Sequence, residues 1–310
     1  MECYHQLKMA KILILTSKLT DTKKSFVNLV KQNFQDEQTE ISIEEISTIC
    51  LSLSKNEISF KVSGVDICRY DLVFLRGITS RNIFIATTVA MVLEKLGIKY
   101  FDTLYSEAGP HRSKLGSLVK LVGSTICIPK TLYFADKNYT KHYREISCGL
   151  GSPFVAKEMS LQKGKGVHRI YCLKDLRTLP AQTKRGSENE YFFQKFIEKD
   201  HEYRILVLGK KIGVWEEKIS ASKDEFRNNI ALGAREIFLN VKDIPSKLET
   251  LAINAADSLG IQVAGVDVIV DVHGKYFVLE VNRGPGLTYD ESVSPEFKAI
   301  AEFLEKECRK

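Results

Sequence analysis

Apolar positions along the first hundred residues come in short bursts separated by mixed stretches. Ile12-Leu13-Ile14-Leu15 reads as a continuous buried strand, and Thr22 to Phe34 places Phe26, Leu29, Val30 and Phe34 at helical spacing. Asp71 to Leu75 predicts another strand, Arg81 to Leu96 a helix, and Ile98 to Phe101 a strand again. Strands alternating with helices predict an α/β unit on a mostly parallel sheet. No GxGxxG follows the first strand, so the dinucleotide fingerprint is absent. Arg76 and Gly77 follow Leu75, at the strand end where such sheets commonly take ligands. Arg76 could equally cap a helix or pair on the surface.

After Gly109-Pro110 the pattern changes. His111 to Val122 is amphipathic, with Lys114 in its first turn, and Thr131 to Phe134 predicts a strand. Phe154 to Lys157 predicts another strand, followed by a loop carrying Gly164 and Gly166 and a returning strand from Val167. A glycine-bearing loop between antiparallel strands can lay backbone N–H groups over phosphates, with Lys114 and Lys157 as point charges. Most such loops are simply turns, and the Walker pattern is missing. Tyr191 to Glu198 predicts a strand running into a hinge, or an edge strand entering a loop. Glu202 to Leu208 and Lys211 to Lys218 predict a hairpin across Gly209. Arg227 sits in a loop, FRNN, as a surface residue would. Helices are expected over Pro245 to Leu259 and over Pro295 to Glu307.

The stretch from Ala264 to Leu287, AGVDVIVDVHGKYFVLEVNRGPGL, predicts two strands joined by a turn at His273-Gly274. Side chains alternate along a strand, so Glu280 and Asn282 share a face and Val281 takes the other. Asp267 stands between Val266 and Val268 on the paired strand, where an unpaired carboxylate would be costly to desolvate. Three converging oxygen ligands suit Mg²⁺, which completes its shell with water and phosphate oxygens. An ordinary amphipathic hairpin with a wet polar face would read the same way.

Composition narrows the class. A chain of 310 residues that is 44% hydrophobic buries a sizeable core without disulfides. Its seven cysteines are scattered without a CxxC pair, which points to reduced thiols in a cytoplasm. The only apolar run near the start is too short for a signal peptide or a membrane span. A net charge of +6 suits anionic ligands such as nucleotides. No aromatic–basic alternation or helix-turn-helix pattern supports a nucleic-acid partner.

Taken in order, Lys114, Lys157 with its GKGV loop, Gln194 to Glu198, Glu202-Tyr203-Arg204 with FRNN, and EVNRGPGL resemble the ATP-grasp superfamily, specifically its RimK-type carboxylate–amine ligases. The last motif is close to the family's E-V-N-x-x-P-G-L. The resemblance implies an α/β ATP-grasp fold, two α+β lobes clamping ATP, preceded by a small parallel-sheet α/β domain. The division expected is 1–109 for the amino-terminal domain, 110–185 for the central lobe with its glycine lid, and 186–310 for the carboxyl-terminal lobe with the metal site. Lys114 and Lys157 would hold the ATP phosphates under a lid from Gly164 through Gly166 to Val167. Gln194, Lys195, Phe196, Ile197 and Glu198 would form the adenine hinge, with Glu202 nearby. Asp267, Glu280 and Asn282 would hold Mg²⁺, for which Mn²⁺ can substitute. Arg204 and Arg227, with Asn229 beside them, would face the γ-phosphate or an acyl phosphate. The implied reaction is phosphorylation of a carboxylate by ATP and capture of the acyl phosphate by an amine. Expected partners are ATP and carboxylate and amine substrates (an amino acid, a peptide or a protein tail), with no membrane; family members often form homo-oligomers.

Two positions depart from the family. Leu161 stands where a lid glycine is common, and Glu202 where relatives often carry aspartate. Neither removes a phosphate or metal ligand. Two versions of the ligase stand: addition of an amino acid such as glutamate to an acceptor, and joining of side chains within a precursor peptide. A nucleotide-binding protein without ligase activity would have no need of Asp267, Glu280, Asn282 and Arg227 together.

Overall fold

The structure is a computed structural model that describes residues 9–55, 58–106, 114–122, 126–159, 166–182, 188–219 and 235–310. The amino-terminal unit runs β1 (Ala10–Thr16), α1 (Asp21–Gln32), β2 (Thr39–Glu45), β3 (Ile49–Leu53), β4 (Ile58–Val62), β5 (Val65–Asp66), β6 (Leu72–Leu75), α2 (Ile83–Leu96) and β7 (Lys99–Phe101). Strands β2-β1-β6-β7 form a sheet that is parallel throughout. Its central strands are covered on both faces. Ile12, Ile14 and Phe74 pack beneath α1, while Leu13, Leu15, Val73 and Leu75 pack beneath α2. Two-sided burial is why these strands read as unbroken apolar runs. The pattern did not predict β2, a half-exposed edge strand rich in glutamate, nor the antiparallel meander β3-β4-β5.

Helix α3 (Lys114–Leu121) follows, with Leu121 packed into the core of the carboxyl-terminal lobe. The central lobe proper holds β8 (Thr131–Tyr133), α4 (Tyr143–Leu150), β9 (Phe154–Glu158), β10 (Val167–Ile170), α5 (Leu173–Arg177) and β11 (Tyr191–Lys195). Strands β10-β9-β11-β8 make an antiparallel sheet. Its own core is aromatic: Phe193 meets Tyr139 at 5.2 Å and Phe154 at 5.9 Å, both edge-on, the arrangement the ring quadrupole favours. Although β11 lies past the expected division at 185/186, it is hydrogen-bonded between β8 and β9. The chain leaves this lobe only after Lys195, through the irregular residues 196–198.

The carboxyl-terminal lobe follows with β12 (Lys199–Leu208), β13 (Lys211–Ile219), β14 (Arg235–Leu239), α6 (Ser246–Ser258), β15 (Val263–Asp271), β16 (Tyr276–Asn282) and α7 (Glu296–Cys308). Its antiparallel sheet has the order β14-β13-β12-β15-β16. Helix α6 lays Leu248, Ala252, Ala255 and Ala256 over Ile205, Val207, Val266 and Val268 on one face. On the other face α7 inserts Phe297, Ile300, Ala301 and Leu304 between Leu206, Leu208 and Val214 and the amino-terminal sheet residues Ile12, Ile14 and Phe74. Amino-terminal unit and carboxyl-terminal lobe therefore share a core, whereas the central lobe has a separate one. Among the described residues no helix is long and apolar enough to cross a membrane.

Candidate active site

Strand β12 reads Glu202-Tyr203-Arg204-Ile205-Leu206-Val207-Leu208. Alternation puts Glu202, Arg204, Leu206 and Leu208 on one face. The apolar half of that face lies under α7, and the polar half is left beside the central lobe. Cross-strand register carries the polar row across the sheet, with Glu216 opposite Arg204, Arg204 opposite Asp267, and Asp267 opposite Glu280. Asn282 stands opposite Gly265. A Cβ at Gly265 would come within 2.7 Å of Pro285, so the absent side chain lets the loop after β16 fold back over the sheet.

Asp267 is the centre of this row and is only 8% exposed. It accepts from Arg204 Nε at 3.1 Å and Nη2 at 3.4 Å, from Lys218 Nζ at 2.6 Å, and from Asn282 Nδ2 at 3.0 Å. Burial alone would raise its carboxyl; Arg204 and Lys218 outweigh that and hold it well below the usual carboxylate range. Asp267 in turn raises the Arg204 guanidinium despite its burial. Glu216, 2% exposed, behaves oppositely. Burial, then the Glu236 and Glu296 carboxylates, push it up to about 9. Lys218, Glu216 and Glu236 had drawn no attention in the sequence. The signal was there: Glu216 and Lys218 are two apart on a strand, hence on one face, opposite an arginine-bearing partner.

Two lysines approach the row, one from the central-lobe sheet and one from α3. Lys157 stands on β9 opposite Phe192 and Val167. Burial, opposed by Glu280 and reinforced by Lys114, brings its ammonium down to about 8, with Glu202 and Asp267 also acting on it. Lys114 begins α3 and donates from Nζ to the Glu158 carbonyl at 3.0 Å. Burial lowers it too, against Glu280 and Glu158. Both lysines thus feel Glu280, Lys157 from the central lobe and Lys114 from α3. Gly166 enters β10 with φ +75°, a conformation that favours glycine, and Val167 opens the strand.

At the hinge, Gln194 is 1% exposed and donates from Nε2 to Thr131 Oγ1 at 2.9 Å. Its side chain is committed to the lobe, while the Lys195 N–H donates to the Lys130 carbonyl at 2.9 Å. Phe196 and Ile197 line a cleft with Lys199, Glu202, Ile269 and Leu279, apolar walls with one charge of each sign. Lys199 Nζ lies 2.6 Å from Glu202 Oε2, and Glu198 is exposed just outside. Gly164, Arg227 and Asn229 lie outside the described residues.

The donor set can be tested for a metal. Among the described residues no group of three His, Cys, Asp or Glu side chains gathers; the row offers two carboxylates and an amide. Asn282 gives its amide N–H to Asp267, which leaves its oxygen as the donor atom. Glu280 is exposed on the same face. Two hard carboxylates and an amide oxygen fit Mg²⁺ that shares its shell with phosphates, and fit poorly a soft-ligand metal.

Comparison with known proteins gives the geometry a context. Residues 111–297 match the model of the RimK-like ATP-grasp domain. The chain is 28% identical over 263 residues to a protein of Syntrophotalea carbinolica named probable alpha-L-glutamate ligase, covering 84% of each chain. Among solved structures, it is similar to the ATP-grasp ligase PsnB complexed with minimal precursor, Mg and ADP, at TM-score 0.71 and 16% identity, covering 96% of this chain and 98% of that one. It is also similar to the macrocyclase MdnC of Microcystis aeruginosa bound with precursor peptide MdnA, at TM-score 0.67 and 16% identity, covering 96% and 99%.

Proposed function

The chain belongs to the RimK-like ATP-grasp family and is an ATP-dependent ligase, and from that premise we propose that it joins a carboxylate to the amine of an amino acid such as glutamate. The observation that carries this reading is the polar row Glu280–Asp267–Arg204 near Lys157 of the central lobe and Lys114 of α3, with Glu280 acting on both lysines. Phosphoryl transfer needs positive charge around the moving group and little covalent work from the protein. Lys114 and Lys157 would meet the ATP phosphates, and Arg204 the acyl phosphate. The substrate carboxylate attacks the γ-phosphorus and ADP leaves. The amine then attacks the acyl carbon, phosphate leaves, and the surplus amine proton is lost.

Asp267, Glu280 and Asn282 would hold Mg²⁺, whose chemistry there is neutralisation of the phosphate oxygens. Asp267 already accepts four hydrogen bonds, about the full capacity of a carboxylate. Sharing it with a cation therefore requires Arg204 or Lys218 to turn aside, toward the incoming phosphates. Phe196 and Ile197 would flank the adenine. The separate core of the central lobe suits closure about the two connections, residues 126–130 and 196–198.

Glutamate as the amino acid draws on the name of the Syntrophotalea relative. The peptide-joining alternative draws on PsnB and MdnC, a likeness of fold at 16% identity. ADP formation from Mg-ATP with pools of amino acids, and then with a peptide extract, separates them. Release that depends on an amino-acid pool is the expected result; release only with peptide would favour the alternative. No release from either would overturn the substrate assignment.

A further inference from the structure

Two arginines span the seam between the amino-terminal sheet and the loop after β16, outside the polar row: Arg76 reaches Pro285, Arg283 reaches Ile78, and both act on Asp102. The order β2-β1-β6-β7 reverses direction between β1 and β6. A crevice beyond the carboxyl ends of the strands at such a reversal is the usual ligand position in open parallel sheets. Thr16 ends β1 and Arg76 follows β6, so the two flank that crevice. Arg283 arrives from the opposite side, one residue after Asn282.

Both guanidiniums are stacked and underused. Arg76 lies 4.3 Å from the Phe26 ring centroid and donates from Nη2 to the Pro285 carbonyl at 3.4 Å. Arg283 lies 5.3 Å from the Tyr105 ring and donates from Nη2 to the Ile78 carbonyl at 3.5 Å. Each has a buried Nη1 with no acceptor. Among the described residues neither forms an ion pair, in contrast to Arg204 and Arg309. Asp102 acts on both electrostatically, but its Oδ1 accepts from the Gln262 and Val263 N–H groups at 2.8 and 3.2 Å, and its Oδ2 has no donor. Lys23 is bonded to Thr16 Oγ1 beside them. Gly284 and Gly286, on either side of the buried Pro285, are exposed.

A guanidinium with its face against a ring presents its N–H edge to a planar, two-oxygen anion. An amino acid that attacks through its amine keeps its α-carboxylate ionised, and that group must be held away from the phosphate being transferred. We propose that Arg76 and Arg283 together bind this free α-carboxylate, so that the amine-donating amino acid is anchored at the switch point of the amino-terminal sheet. The inference rests on the ligase reading. It places the amine substrate on the amino-terminal side, with Arg283 next in the chain to the row that faces the phosphates.

The test measures ADP formation with each of the twenty L-amino acids and with its α-amide. The wild-type protein is expected to prefer the acid to the amide by about 10- to 100-fold, the range of a charge-assisted, two-point contact. Arg76→Gln and Arg283→Gln are expected to raise KM for the amino acid by a similar factor and erase the preference, with KM for ATP unchanged. Arg76→Lys should recover only part. The acid–amide comparison needs no variant, so a misfolded Arg76→Gln leaves it decisive. Equal use of acid and amide by the wild type, or a preference kept in both variants, overturns the anchor and leaves the ligase reading intact. A higher KM for ATP alone also overturns it, by assigning the arginines to phosphate. If no amino acid elicits ADP, equilibrium dialysis with radiolabelled L-glutamate decides. Binding lost in Arg283→Gln keeps the anchor without the ligase, and absent binding removes both.

Discussion

The molecule carries two clusters of buried charge that are treated in opposite ways. In the polar row, Asp267 accepts from Arg204, Lys218 and Asn282, and the guanidinium of Arg204 is paired. At the seam, Arg76 and Arg283 both act on Asp102 electrostatically, and each of the three keeps a buried polar atom without a partner. A buried charge without a partner is costly, and a folded chain keeps it where something else supplies the missing bond. The row is therefore preassembled, and a ligand at Asp267 would have to open it in part. The seam keeps buried bonds unmade, which the proposed anchor would complete. Asp267→Asn breaks the row and should have the largest effect. It leaves Arg204 and Lys218 buried without their counter-charge, a loss of about 3–5 kcal/mol when one partner of a buried pair is removed. Urea denaturation measures it; a loss below about 1 kcal/mol would show that the row is held by something other than Asp267.

Glu280 separates function from structure within the same row. It is the exposed member, and no hydrogen bond to its side chain stabilises the sheet among those described. Glu280→Gln keeps the shape and removes a metal-binding charge. Stability should stay within about 0.5 kcal/mol, while Mg-dependent ADP formation falls about 100-fold or more. Unchanged turnover would remove Glu280 from the site. An equal loss of stability would recast it as a structural residue.

The same contrast governs what could be read from the sequence. The hairpin of β15 and β16 was legible because Val266, Val268, Val278 and Val281 pack under α6 and make Asp267, Glu280 and Asn282 conspicuous among them, although a bulge beside Asp267 interrupts the alternation. Strand β1 was legible because both its faces are covered. The edge strand β2 and the short helix α4 were missed: Glu40, Glu44 and Glu45 mask the alternation of Ile41 and Ile43, and eight residues give too few turns to establish a helical period. Lys218 was invisible for another reason. Its meaning depends on pairing with Asp267 through β12, two strands away, which no local period encodes. Arg76 was noticed from its place at a strand end. That Arg283 would meet it there depends on the loop folding back across Gly265.

The prediction that sharpens the contrast most concerns Asp102. Burial raises its carboxyl from the ordinary 3.8 to about 7, against the Val263 and Gln262 N–H groups and then Arg76 and Arg283. The folded state then binds a proton that the unfolded state has released. Between about pH 4 and pH 7 the folded chain holds more protons at this site, so its contribution to stability falls as pH rises, at most by about 1.4 kcal/mol per pH unit. Below that window both states are protonated and above it both are ionised, and the slope vanishes. Asp102→Asn keeps an oxygen for the Gln262 and Val263 N–H groups and cannot titrate. The difference in urea stability between variant and wild type should therefore change across this window in the direction of a relatively more stable variant as pH rises. A difference that stays constant from about pH 4 to pH 7 would mean that Arg76 and Arg283 already satisfy Asp102 as an ion. The seam would then hold one ionised carboxylate against two guanidiniums, with a single positive charge left for a ligand to balance.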